Sequence, residues 1–143
     1  MEANSKRWRK AEIPAANGHG TARSLAKIYG ALATGGSKDG VHVLTPETIE
    51  LARQTESDGK DLVLAQMHTR FGLGFMLGTE DVSMGPNKNS MGHGGAGGSL
   101  GFADPDNKIS LGFTMNQMHA GITAWKTATD VADSVYKTLS IKT

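Results

Sequence analysis

The groups in this 143-residue chain that could do chemistry are five histidines, two serine-centred spellings and one run crowded with glycine. That run, Ser90 to Pro105, reads S-M-G-H-G-G-A-G-G-S-L-G-F-A-D-P and sets His93 among glycines between two hydrophobic segments. Glycine has no Cβ, so another backbone or a ligand can come close to its N–H groups. In such surroundings His93 is either a turn residue that tolerates an unusual φ or a polar group lining a cleft. Gly97-Gly98-Ser99-Leu100-Gly101 spells G-x-S-x-G, whose serine is a nucleophile only on a tight strand-to-helix turn. Gly92-x-Gly94-x-x-Gly97 spells a dinucleotide fingerprint, which must open a helix. Both spellings run instead into strand-like Leu100-Gly101-Phe102-Ala103, which favours a structural Ser99 and no nucleotide. Ser24-Leu25-Ala26-Lys27 spells S-x-x-K, in which a lysine one turn after a buried serine can deprotonate it. Here both side chains fall toward the polar side of a helix. His19, His42, His68, His93 and His119 form no i, i+4 pair and have no nearby carboxylate set, so neither a metal nor another cofactor is expected.

The elements that must position these groups follow from periodicity. Residues 1–20 read as a basic tail and entry loop, with Lys6, Arg7, Arg9 and Lys10 around Trp8 and turn formers at Pro14, Asn17, Gly18 and Gly20. A helix is expected to start at Thr21, with Leu25, Ile28, Tyr29 and Leu32 at helical spacing and Gly35 just past its end. After short apolar Val41–Leu44, Thr45-Pro46-Glu47 spells N-cap, N1 proline and first-turn acid for a second helix to about Gln54. Thr55–Lys60 is polar and ends it. Arg70–Gly78 alternates Phe71, Leu73 and Phe75 with glycines, the pattern of one strand whose second face lies close to other backbone. Ser99–Ala103 and Lys108–Asn116 flank the Asp104-Pro105-Asp106-Asn107 turn as a hairpin. Gly121–Leu139 places Ile122, Trp125, Ala128, Val131, Ala132, Val135 and Leu139 on one side of a C-terminal helix. The layout predicted is α+β: an antiparallel sheet of about three strands with N- and C-terminal helices packed on it, residues 21–143 forming one unit.

Composition narrows the partners. A net charge of +1 at pH 7 gives no field that favours nucleic acid, and the 38% apolar share is held down by 19 glycines rather than by disorder. The absence of cysteine excludes disulfides, thiolate zinc sites and cysteine nucleophiles. No apolar run approaches a membrane span of roughly 20 residues and no signal-peptide core is seen at the N-terminus, so a cytoplasmic protein off the membrane is expected.

The run G-H-G-G-A-G-G-S-L-G-F-A-D-P-D, followed after a turn by I-S-L-G-F-T-M-N, resembles the third conserved box of the serine β-lactamase and penicillin-binding-protein superfamily, in its esterase-like branch. A-N-G-H-G-T-A-R-S-L-A-K-I-Y-G-A-L-A and F-G-L-G-F-M-L-G resemble that branch in the same order, so the likeness spans roughly residues 12–140. It implies a partial β-lactamase-like fold with His93, Gly94 and Gly95 in the place of the K-T-G box. His93 would line the cleft, and Ala96 would offer its backbone N–H as one of two oxyanion-hole donors. It further implies that the nucleophilic serine, its lysine and a catalytic tyrosine precede the matching part, so nothing here aligns with them. Tyr29 and Tyr136 read as core or interface residues. The chain is thus expected to be the C-terminal portion of a hydrolase that acts on small ester or amide substrates through an acyl-enzyme, silent alone. The alternative is a non-catalytic binding or oligomerisation module. Under either reading a homo-oligomer through an open strand edge or uncovered helix faces is expected.

Overall fold

Thr21 opens the first long helix as the sequence predicts. In the computed structural model, which describes residues 4–121 and 126–141, the Thr21 hydroxyl accepts the Ser24 N–H at 3.1 Å and the Ser24 hydroxyl accepts the Thr21 N–H at 2.9 Å. These reciprocal bonds satisfy two donors that a helix start leaves bare. A five-residue helix, α1 (Lys6–Lys10), precedes this cap within the stretch expected to be a tail. α2 (Ala22–Ala33) ends where Gly35 and Gly36 take φ of +84° and +93°, and the Gly36 N–H returns to the Ala31 carbonyl at 2.7 Å. A two-stranded hairpin, β1 (Ser37–Lys38) and β2 (Val41–His42), then leads to α3 (Pro46–Ala52), capped by Thr45 with Pro46 in its first turn.

The main sheet has six antiparallel strands in sequence order rather than three: β3 (Ser57–Lys60), β4 (His68–Phe71), β5 (Met76–Leu77), β6 (Met91–Gly94), β7 (Leu100–Asp104) and β8 (Ile109–Phe113). Three differences from the expectation have physical causes. β3 reads Ser-Asp-Gly-Lys and is exposed along its whole length, so an edge strand without a buried face left no hydrophobic alternation to find. The single strand expected over Arg70–Gly78 is two, because the Gly72 N–H turns back to the Phe75 carbonyl at 2.9 Å and Gly74 takes φ +80°. The expected closeness of backbone is present there, since a Cβ on Gly72 would stand 2.0 Å from the Ala52 carbonyl oxygen. Third, the histidine-bearing part of the glycine run is itself a strand, β6.

Both faces of the sheet are covered. On one, Met76, Leu100 and Phe102 meet Val82, Met84 and the inner side of α4 (Lys126–Thr138), with Ala128, Ala132 and Tyr136 buried. On the other, Leu77, Met91 and Ala103 meet Leu32 and Ala33 of α2 and Ile49 of α3. The buried stripe of α4 differs from the expected one: Val131 and Leu139 are 38% and 57% exposed, and Tyr136 is buried in their stead. Ile122 and Trp125 of the expected helix lie outside the described residues. Ile28 of α2 is likewise 53% exposed, so that helix turns a narrower face to the sheet than its spacing suggests. Among the described residues no helix is long and apolar enough to cross a membrane.

Candidate active-site wall

Antiparallel register brings His93 of β6, Gly101 of β7 and Gly112 of β8 into one row across the sheet. Paired residues point to the same face, so this row belongs to the α2 side. The two glycines let α2 settle on it. A Cβ on Gly112 would stand 2.3 Å from the Ala22 carbonyl oxygen, and one on Gly101 would stand 2.3 Å from the Tyr29 ring. Tyr29 in turn meets Phe75 edge-on at 6.4 Å between centroids, and Phe71 lies 6.2 Å from the His93 ring. The histidine is thus exposed, with the partly buried Phe71 ring beside it.

His93 has an ordinary strand conformation, absent from the residues at positive φ, which removes the turn-residue alternative. Its Nδ1 lies 2.6 Å from the Gly94 carbonyl oxygen. A carbonyl can only accept, so Nδ1 is the donor in this arrangement and Nε2 is the ring nitrogen not engaged by it.

Gly95 to Ser99 closes β6 onto β7. The Gly95 N–H donates to the Ser99 carbonyl at 2.8 Å and the Gly98 N–H to the Gly95 carbonyl at 3.0 Å. Gly97 and Gly98 sit at φ +88° and +115°, where a side chain would be strained. The loop is held from outside as well: the Gly97 N–H donates to the Gly121 carbonyl at 3.1 Å, and the His119 N–H to the Gly97 carbonyl at 2.9 Å. Ala96 is exposed, and its own N–H has no acceptor among the described residues. An amide fixed by its neighbours and left open can donate to a negative oxygen.

The other candidates do not join this group. Ser99 precedes a strand, not a helix, and a Cβ on Gly95 would meet its hydroxyl at 2.2 Å, so it is a packed turn residue. Ser24 spends its hydroxyl on the α2 cap, donating to the Thr21 carbonyl at 2.8 Å, and is not bonded to Lys27. His42 pairs with Ser37 at 2.8 Å on the exposed β1–β2 hairpin, and His68 with Asp58 across β3 and β4. No cluster among the described residues suits a metal ion. Tyr136 is a core residue, as expected. Tyr29 is half-buried, and burial pushes its phenol above the usual range.

A buried polar anchor near the opposite end of β7 escaped the sequence reading. Asp104, fully buried, accepts from the Tyr136 hydroxyl, from Asn87 Nδ2 at 2.8 Å, and from Asn107 through Nδ2 at 2.8 Å and N–H at 3.1 Å. Burial, then the hydrogen bond and charge of Asp104, push the Tyr136 phenol upward. The anchor ties α4 and the 85–90 loop to the base of the hairpin whose tip carries Ala96. Asp-Pro-Asp-Asn read only as a turn, because the tyrosine that completes it comes 32 residues later.

Comparison with known proteins agrees with this architecture. The sequence profile of the family described as Beta-lactamase matches residues 2–133. The esterase/beta-lactamase LipL of Mycobacterium tuberculosis is 38% identical over 109 residues, covering 76% of this chain and 24% of LipL. The crystal structure of a family VIII carboxylesterase superposes with a TM-score of 0.86 at 36% identity, over 94% of this chain and 36% of that one. A penicillin-binding protein homologue from Caulobacter crescentus gives a TM-score of 0.87 at 37% identity with the same coverage. The chain therefore spans between about a quarter and about a third of the length of the relatives it matches.

Proposed function

The chain belongs to the beta-lactamase family, and from that premise we propose that it supplies one wall of a serine hydrolase cleft rather than a whole catalytic centre. In the complete enzyme a serine attacks an ester or amide carbonyl, forms an acyl-enzyme and releases it to water. His93, Gly94 and Gly95 line the cleft, with His93 Nε2 available to orient substrate or a proton carrier. The Ala96 N–H is one of the two donors to the oxyanion. The observation that carries this reading is that amide: exposed, without an acceptor among the described residues, and set in a loop fixed by hydrogen bonds on both sides. The attacking serine, its lysine and a catalytic tyrosine reside on polypeptide outside these 143 residues, so the chain alone is inactive.

Intact mass after incubation with a fluorophosphonate probe tests this. The full-length gene product is expected to gain one adduct and the present chain none; an adduct on the present chain that is lost on Ser24→Ala would establish a self-contained hydrolase instead. In the full-length product Ala96→Pro removes the proposed donor and is expected to lower kcat by about 100- to 1,000-fold.

A second reading, a binding or assembly module, draws on two features. β8 ends the sheet with β7 as its neighbour, and α4 leaves a groove of about 540 Å³ along Val131, Val135 and Leu139. Open strand edges and apolar helix faces pair with other chains. Light scattering that finds a concentration-independent monomer would remove this reading.

A further inference from the structure

We propose that the polar cavity beside α3 binds a small oxyanion, a carboxylate or a phosphate. The cavity encloses about 250 Å³ between the end of α3, strands β4 and β5 and the residues leading into β6. Arg53, Arg70 and Lys88 line it, with Glu50 as the lining carboxylate and Thr55 as a neutral donor. Arg53 is already engaged, 2.9 Å from Glu50 Oε1 and 3.9 Å from Asp106 Oδ1. Arg70 is not. The carboxylate opposite it in register, Asp58, is turned to His68 Nε2. What Arg70 holds is one long contact, Nη2 to the Lys88 carbonyl at 3.3 Å, while its Nε is buried without an acceptor. Among the described residues neither Arg70 nor Lys88 has a carboxylate within ion-pair distance.

Two uncompensated cations on one polar cavity, one of them with a buried donor that lacks a partner, call for an anion. A guanidinium presents a planar fork of donors that two oxygens of one anion can meet together, and the Lys88 ammonium adds a point charge. Lys88 and Asn89 precede β6 whereas Ala96 follows it, so this cavity lies at the other end of the strand from the proposed oxyanion donor. Neither proposal depends on the other.

The test is a nitrogen–proton NMR titration of the full 143-residue chain with inorganic phosphate and, separately, with acetate, each against potassium chloride at matched ionic strength. Saturable shifts at the Thr55, Arg70 and Asn89 amides with either oxyanion and not with chloride are expected. R70Q should weaken that binding by about tenfold or more, because the bidentate, charge-assisted contact goes. K88Q, on an exposed position, should weaken it several-fold and serves if R70Q does not fold. The proposal is overturned if shifts do not saturate, occur equally with chloride, centre on Lys6–Lys10, or persist unchanged in the variants. No hydrolysis is read, so failure here is separable from failure of the hydrolase reading.

Discussion

Gly112→Ala probes the contact that places α2 beside His93. The added Cβ would stand 2.3 Å from the Ala22 carbonyl oxygen, 2.7 Å from the Ala26 nitrogen and 2.9 Å from Leu25 Cβ. Two of these three atoms are helix backbone, which no rotamer change can move aside. Comfortable carbon contacts begin near about 3.5 Å, so α2 must recede by on the order of 1 Å. Overpacking of this kind costs about 1–3 kcal/mol. Alanine also restricts the unfolded chain, which returns about 0.4–1 kcal/mol. The net loss is up to about 2.6 kcal/mol, and at about 2–5 °C per kcal/mol for a chain of this size it lowers the melting midpoint by up to about 13 °C. Differential scanning calorimetry of Gly112→Ala against Gly18→Ala makes the comparison, since Gly18 has open space around its missing Cβ and no positive φ. If Gly112→Ala melts at or above Gly18→Ala, the close seating of α2 on the sheet is wrong.

Tyr136→Phe removes a donor from buried Asp104 and is expected to cost about 1–3 kcal/mol, read as a lower urea midpoint at unchanged slope. The phenols of Tyr136 and Tyr29 are both held above their unfolded value in the folded chain. Their contribution to stability is therefore complete below about pH 10 and is lost as pH rises beyond it. The urea midpoint should fall on that alkaline side, less steeply in Tyr136→Phe. Hydrogen bonds from Asn89 and then Asn87 hold the Asp106 carboxyl below its usual range. Asn89→Ala should bring it back upward in a carbon NMR titration, moving the acid-side loss of its stabilisation to higher pH. Ser24→Ala should destabilise the chain by about 1 kcal/mol through the lost cap, with no change in probe labelling.

The caps of α2 and α3 and the β7–β8 hairpin were legible because each depends on residues within a few positions of one another. Thr21, Thr45 and the alternation from Ile109 to Phe113 carry their own signal. β3 was not legible, because Ser57–Lys60 has no buried face and therefore no hydrophobic alternation, and its Asp58 meets a partner, His68, ten positions away. The α4 stripe was read correctly at Ala128 and Ala132 and misread at Val131, Leu139 and Tyr136. Val131 and Leu139 are more apolar than Tyr136, but Asp104 gives the tyrosine hydroxyl a partner that periodicity cannot weigh. At the site, His93 and its glycines stood out as types, whereas the aromatic residues nearby, Tyr29, Phe71 and Phe75, come from α2, from β4 and from the turn between β4 and β5. The seat of Tyr29 is set by Gly101 and Gly112, whose significance is spatial: each lies in the strand row under α2. The Arg70 cavity was silent for a similar reason, since its cations are 17 and 18 positions apart along the chain.

The two hydrogen bonds that fasten Gly97 to His119 and Gly121 moor the hairpin tip to the segment that follows β8. The aim of the Ala96 amide is thereby held from two directions, by the tight turn between β6 and β7 and by a stretch of chain more than twenty positions downstream.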